Sequence, residues 1–490
     1  MHRLRDQKAR PGTTSEQDGD HGTQVEPRRP WSLLILLSVA GFMVILDATV
    51  VNVALPSIAR SLSLAPGNLQ WVITAYVLAS GGFVLLGGRA ADVVGRRQTF
   101  LAGLTLFTLA SLASGLAPSA GAMIAARAGQ GLGAALLSPA ALSIITTAYV
   151  GAQRVAALGI WGAIGGAGAA AGVLAGGVLT SWLGWRAVFL VNVPVGLMAG
   201  LLSLRMVPRT PRAGKIGRLL DLAGATLAVA GLVSLAYALA GAPAHGWAST
   251  QTLLLLVLAA LLLTAFAAAE RRAERTGRRP LVPLRTWRNR PLVAGALVMF
   301  GATGILVTTF FLNTLYLQDV QHASALRVGL EFLPLAVVIG IGAHLSSQLI
   351  RRIGSRALIA TGLVLIAGGA LLLTQVSPDS TYLTGLLPGL LTTGVGAGLV
   401  LPAAAITAMR DVTEERAGLA SGLMTTAHEI GGAFGVAVFS AVAVVVSGGI
   451  AAGYRHGFMV AAAVAAGLAI LAGLAAPAVR PEPGVRTMVH

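Results

Sequence analysis

Four ionisable side chains stand inside long apolar stretches of this chain: Asp47, Arg127, Glu331 and Glu429. A charge at membrane depth is costly, so each needs a partner or a task. Asp47 lies in Leu46-Asp47-Ala48-Thr49-Val50-Val51-Asn52-Val53-Ala54-Leu55-Pro56. In a low-dielectric cleft a proton and a cationic ligand compete for one carboxylate, and that competition is enough to couple two fluxes. The bland alternative is a hydrogen-bonded acid that orders a helix junction. Arg127 opens Arg127-Ala128-Gly129-Gln130-Gly131-Leu132-Gly133. Its guanidinium stays charged, must face the protein interior, and either tunes a carboxylate or forms a permanent ion pair. Glu429 follows His428 in an apolar segment. The two could bind a cation or proton, but neighbours on a helix project about 100° apart and need not share a partner. Glu331 sits near a segment end, where a solvated carboxylate is expected.

Other chemistries find no support. The chain has no cysteine, so there is no thiolate metal site and no thiol nucleophile. His322, His344 and His428 fall in different segments, against a membrane-embedded lipid-modifying enzyme, which needs clustered groups at one surface. No Gly-x-x-x-x-Gly-Lys-Ser/Thr run offers a phosphate cradle for ATP.

The elements that must carry these residues are membrane spans. A hydrophobic share of 55% with 11% charged residues excludes an ordinary soluble domain. Fourteen apolar segments can each cross a hydrocarbon core as a helix. They fall at 31–55, 70–91, 99–117, 121–146, 155–180, 184–204, 221–241, 251–269, 291–315, 328–349, 357–375, 381–403, 417–447 and 457–477. Of 35 Lys and Arg, thirty lie in the two tails and the even-numbered gaps. Only Arg60, Arg186, Arg327 and Arg455 lie in the odd ones, and Arg127 lies within a segment. Cytoplasmic loops are basic, so both tails are expected inside a multi-pass plasma-membrane protein. The net charge of +17 then reflects lipid and topology, with no nucleic-acid partner. Residues 1–30 read as a disordered tail.

The chain also repeats itself. Gly131, Gly133 and Pro139 match Gly394, Gly396 and Pro402 at an offset of 263, and Gly95 and Arg97 match Gly354 and Arg356 at 259. The expected fold is therefore an all-α polytopic membrane protein: 14 transmembrane helices in two parallel six-helix repeats plus an inserted helix pair. The domains are a tail at 1–30, a bundle at 31–204, a two-helix linker at 205–290, a second bundle at 291–477 and a tail at 478–490. Between the second and third spans, Gly88-Arg89-Ala90-Ala91-Asp92-Val93-Val94-Gly95-Arg96-Arg97 must turn tightly. Gly95 frees the turn, and its charges either cap that turn or form a cytoplasmic gate when the halves rock. In the fifth span, Gly168, Gly172 and Gly176, followed by Gly177, lie along a face that lets another helix come close. Packing is the default reading and a sliding hinge the sharper one.

These passages resemble the major facilitator superfamily, specifically its 14-span drug:proton antiporter branch, over nearly all of 31–477. The Asp47 passage is similar to that branch's first-helix signature, and Gly88 to Arg97 to the superfamily's loop motif. The Arg127 passage resembles the helix-4 proton-coupling motif. The Gly168–Gly177 passage resembles the antiporter motif, with Val173 where that motif has proline. Trp185-Arg186 and Asn192-Val193-Pro194 also resemble the branch. The resemblance implies a secondary transporter, not an enzyme: proton-motive-force-driven efflux by alternating access. Asp47 would be the substrate and proton site and Arg127 its coupling partner. The resemblance also implies no cofactor beyond protons as coupling ion, a small amphipathic substrate with cations among the candidates, and a functional monomer. A metabolite exporter or importer is the alternative on the same fold.

Overall fold

The structure is a computed structural model that describes residues 31–64, 69–208, 221–276, 280–377, 380–410, 412, 414–445 and 450–475. The described chain is helical with no strand among those residues. It forms α1 (Trp31–Leu62), α2 (Trp71–Val93), α3 (Arg96–Gly115), α4 (Ala120–Ala148), α5 (Gly151–Trp182) and α6 (Trp185–Met206). There follow α7 (Leu222–His245), α8 (Thr250–Arg275) and α9 (Arg290–Val320). The stretch Ala325–Leu373 is broken at Gly354 (φ 78°, ψ 160°) into α10 and α11. The chain ends with α12 (Tyr382–Met409), α13 (Glu414–Val445) and α14 (Ile450–Ala475). Fourteen helices thus stand where fourteen spans are expected. Eleven are long and apolar enough, over their described residues, to cross a membrane.

In lipid the backbone must satisfy itself, so the helix ends are informative. Side chains cap the first free amides: Ser119 accepts from Ala122, Asp221 from Gly224, Ser249 from Thr252, Asn289 from Leu292, and Ser324 from Arg327. Such caps satisfy amides that no helical carbonyl can reach.

The sequence repeat reappears as repeated contact. Gly131 of α4 lies against Tyr76 and Ala79 of α2, and Gly394 of α12 against Leu335 and Val338 of α10. Gly133 meets the backbone of Phe107 as Gly396 meets that of Ile366, and Gly103 packs on Leu137 as Gly362 packs on Val400. The two turns at Gly95 (φ 109°) and Gly354 (φ 78°) correspond as well. Every pair keeps the 259 or 263 offset. Close backbone approach replaces the hydrophobic drive that helices lack in lipid, so the small residues recur wherever the packing does.

α7 packs against α2 and α13, with α8 outside it. α8 shows an exposed apolar face of Leu253, Leu254, Val257, Leu258 and Leu261, which suits hydrocarbon. α1, in contrast, is embedded against α5 and α6, and it carries Asp47 into the core.

Candidate functional site

Asp47 is completely buried. It faces Arg127 of α4, whose Nη1 donates to Asp47 Oδ2 at 2.5 Å. The other carboxylate oxygen, Oδ1, accepts from Gln130 Nε2 at 3.0 Å and from Asn192 Nδ2 at 2.8 Å. Four helical positions converge here: Asp47 on α1, Arg127 and Gln130 on α4, Asn192 on α6. Around them, Gln130 Nε2 donates to Ser111 Oγ at 2.8 Å and Ser114 Oγ donates to Gln130 Oε1 at 3.0 Å.

Arg127 has partners besides the acid. Its Nε donates to the Val72 carbonyl at 2.9 Å and Nη1 to Gln130 Oε1 at 2.9 Å. Its guanidinium carbon sits 4.3 Å from the centre of the Tyr76 ring and 5.8 Å from that of Phe189. A cation over an aromatic face gains about 2 kcal/mol when desolvated. The arginine thus has anchors on α2 and α4 besides the carboxylate.

Of the site residues read from sequence, the structure joins Asp47 and Arg127 directly. Glu429 lies apart from that pair. It is half-buried on α13, its Cβ against Gly81 of α2. The adjacent His428 turns to α9, with Nδ1 3.0 Å from Thr303 Oγ1, so the two do diverge. Tyr76 lies within electrostatic reach of Asp47, Arg127 and Glu429 alike. Gln130, Asn192, Ser111 and Tyr76 escaped the sequence reading as site residues. The signal for the first three was their polarity within apolar spans; nothing marked Tyr76. Glu331 is a correction. It is not a solvated carboxylate but is buried, accepting from Arg327 Nε at 2.7 Å, because Arg327 stands one turn earlier on the same face of α10.

The glycine face of α5 meets α1. Gly168 lies against Phe42 and Ile45, Gly172 against Leu46 and Thr49, and Gly176 against Val50. This is the stretch of α1 that holds Asp47. Gly177 turns the other way, to Ala325 and Leu326 of α10, and the Val173 carbonyl approaches Gly329. At the α2–α3 turn, Gly95 supplies the positive φ. Arg97 donates to the Leu204 carbonyl of α6 at 2.5 Å, a contact within its own six helices. Arg96 is half-buried, and Gly88 faces Pro139 of α4. The Asp92 side chain lies outside the described residues. Among the described residues no three metal-binding side chains converge.

A family profile described as the Major Facilitator Superfamily matches residues 37–436. The chain belongs to this superfamily. It is 42% identical over 467 residues to the puromycin resistance protein of Streptomyces alboniger, covering 92% of this chain and 91% of that protein. It is 42% identical to the cephamycin export protein of Amycolatopsis lactamdurans, covering 83% of each. It is 37% identical to the lincomycin resistance protein of Streptomyces lincolnensis, covering 84% of each. Among solved structures, the POT family transporter PepTSo matches with a TM-score of 0.67 at 16% identity, covering 91% of this chain and 98% of that one. The inward-open xylose transporter XylE from E. coli matches at 0.64 and 15%, covering 92% and 97%. This major facilitator chain is accordingly a multi-pass membrane transporter and not an enzyme.

Proposed function

We propose that this transporter exports small amphipathic drugs or antibiotics, cations among them, by exchanging them for protons. The observation that carries the reading is Asp47: one fully buried carboxylate, held by a cation and two neutral donors in the middle of the first six helices. Relatives named for resistance to or export of puromycin, cephamycin and lincomycin support the substrate class and the outward direction.

The mechanism follows from the partners. When Asp47 takes a proton its charge leaves the pair, and Arg127 retains Val72, Gln130 and the Tyr76 ring. When the proton leaves, the carboxylate attracts either Arg127 or a substrate cation. Proton and substrate therefore exclude each other at one acid, and the exchange becomes transport once the acid faces opposite sides in turn. Two six-helix bundles, 31–204 and 291–477, would alternate access around the site, with 205–290 as linker. Glu429, at the α2–α13 seam, would add a second proton or cation contact. Gly88, Asp92, Gly95, Arg96 and Arg97 would gate the cytoplasmic end. Gly168, Gly172 and Gly176 would let α1 slide on α5, and Gly177 would seat α10.

Purified protein in liposomes tests this directly. An imposed pH gradient should drive an amphipathic cation uphill, and an uncoupler should stop it. Accumulation that ignores the uncoupler would leave a carrier without proton coupling. The topology is separately testable. Reporter fusions after 210, 280 and 485 should report the cytoplasm, and those near 245 and 378 the exterior. An opposite result at 245 would mean that α7 and α8 do not both span.

A further inference from the structure

Among the described residues, hydrogen bonds from Gln318 and Leu326 join the last six helices to the first six on the face away from the basic loops. Gln318 Nε2 of α9 donates to the Val53 carbonyl of α1 at 2.8 Å, and the Leu326 amide of α10 donates to Ser181 Oγ of α5 at 3.0 Å. We propose that Gln318 and Ser181 form a latch that holds this face shut, and that α1 carries the state of Asp47 to it. This rests on the alternating-access reading above.

Each side of the latch is built for the purpose. The last turn of α9, Tyr316–Val320, is a π turn, closed by the Gln321 amide donating to the Tyr316 carbonyl at 3.1 Å. A π turn inserts a residue and re-aims the side chains around it. The turn is tied to its own half, since Tyr316 Oη donates to the Ser377 carbonyl at 2.5 Å and Gln321 Nε2 to the Ser380 carbonyl at 2.8 Å. Gln318 thus moves with the last six helices. Its acceptor lies in the turn before Pro56. Proline has no amide to give, which leaves the Asn52 carbonyl without its helical donor, and its ring loosens the turn that holds Val53. Val53 is six residues beyond Asp47, about 9 Å along the same helix. Any shift of α1 that accompanies exchange of Asp47's partners is felt at Val53.

The second bond is a helix cap supplied from the other half. The Leu326 amide is one of the unpaired donors of the first turn of α10, and Ser181 satisfies it. Next to it Gly177 and Gly329 let α5 and α10 touch backbone to backbone. At the rim, the exposed Asp319 of α9 lies within electrostatic reach of Arg60 of α1. Both bonds are between neutral groups and so are weak enough to break in each cycle.

The test uses the full chain, which has no native cysteine. A reporter cysteine replaces Val173, which is 1% exposed beside the seam; a control replaces Ala461 in α14, equally buried. Maleimide labelling is timed in detergent. The double variant Gln318→Met, Ser181→Ala keeps the bulk and removes one donor and one acceptor. Reporter labelling should quicken about tenfold or more, with the control still protected. Unchanged reporter labelling, or a rise at both positions, would overturn the latch. Labelling requires neither substrate nor pH gradient. The latch can therefore fail while drug–proton exchange stands, and export can fail while the latch stands.

Discussion

Asp47→Asn is expected to reduce pH-gradient-driven drug accumulation in proteoliposomes to background. Asparagine keeps the size of the side chain and an oxygen for Gln130 or Asn192, but it cannot titrate. It also leaves the Arg127 guanidinium buried without a counter-charge. Breaking a buried pair from one side costs about 3–5 kcal/mol, so the single variant should also unfold at lower temperature. The double variant Asp47→Asn, Arg127→Gln removes both charges and should recover much of that stability, because neither partner is then left alone. It should not recover coupling. Stability that returns together with uphill transport would mean that another group takes the proton, and Glu429 would be the first to examine.

The sequence made the fold legible because three signals agreed. Apolar length, the alternation of basic loops and the glycine offsets each depend on different physics, and all three lead to the same fourteen helices. Asp47 and Arg127 were also legible, since a charge in an apolar span is conspicuous. Their direct contact was not. It depends on how α1 and α4 cross, 80 residues apart in the chain, and no periodicity records a crossing. Tyr76 illustrates the limit: an aromatic residue in a span looks like core until a guanidinium is found on its face. Glu331 illustrates another. Its place near a segment end suggested solvent, but the local pairing with Arg327 and the packing of α10 bury it. The glycines of α5 were legible as a face, but only the structure shows that the face receives the Asp47 helix while the neighbouring Gly177 receives α10.

That division of the α5 glycines gives the second large effect. A Cβ at Gly176 would lie 2.8 Å from the Val50 carbonyl and 3.0 Å from the Val50 side chain. Because the obstacle includes backbone, no rotamer change relieves it, and Gly176→Val must push α1 away from α5. Overpacking of this kind costs about 1–3 kcal/mol. The displaced helix carries Asp47, whereas Arg127 stays on α4 with Val72 and Tyr76. The 2.5 Å contact should therefore loosen, and transport should fall more than the lower melting temperature alone explains. Gly340→Ala is the contrast. Nothing lies within 4 Å of a Cβ at that exposed position of α10, so the change should leave transport intact and stabilise by up to about 1 kcal/mol through helix propensity. Thermal unfolding in detergent and initial transport rates, measured on both variants, separate the two cases. If Gly176→Val loses stability but transports at the parental rate, α1 does not need its seat on α5, and the glycine face is packing alone.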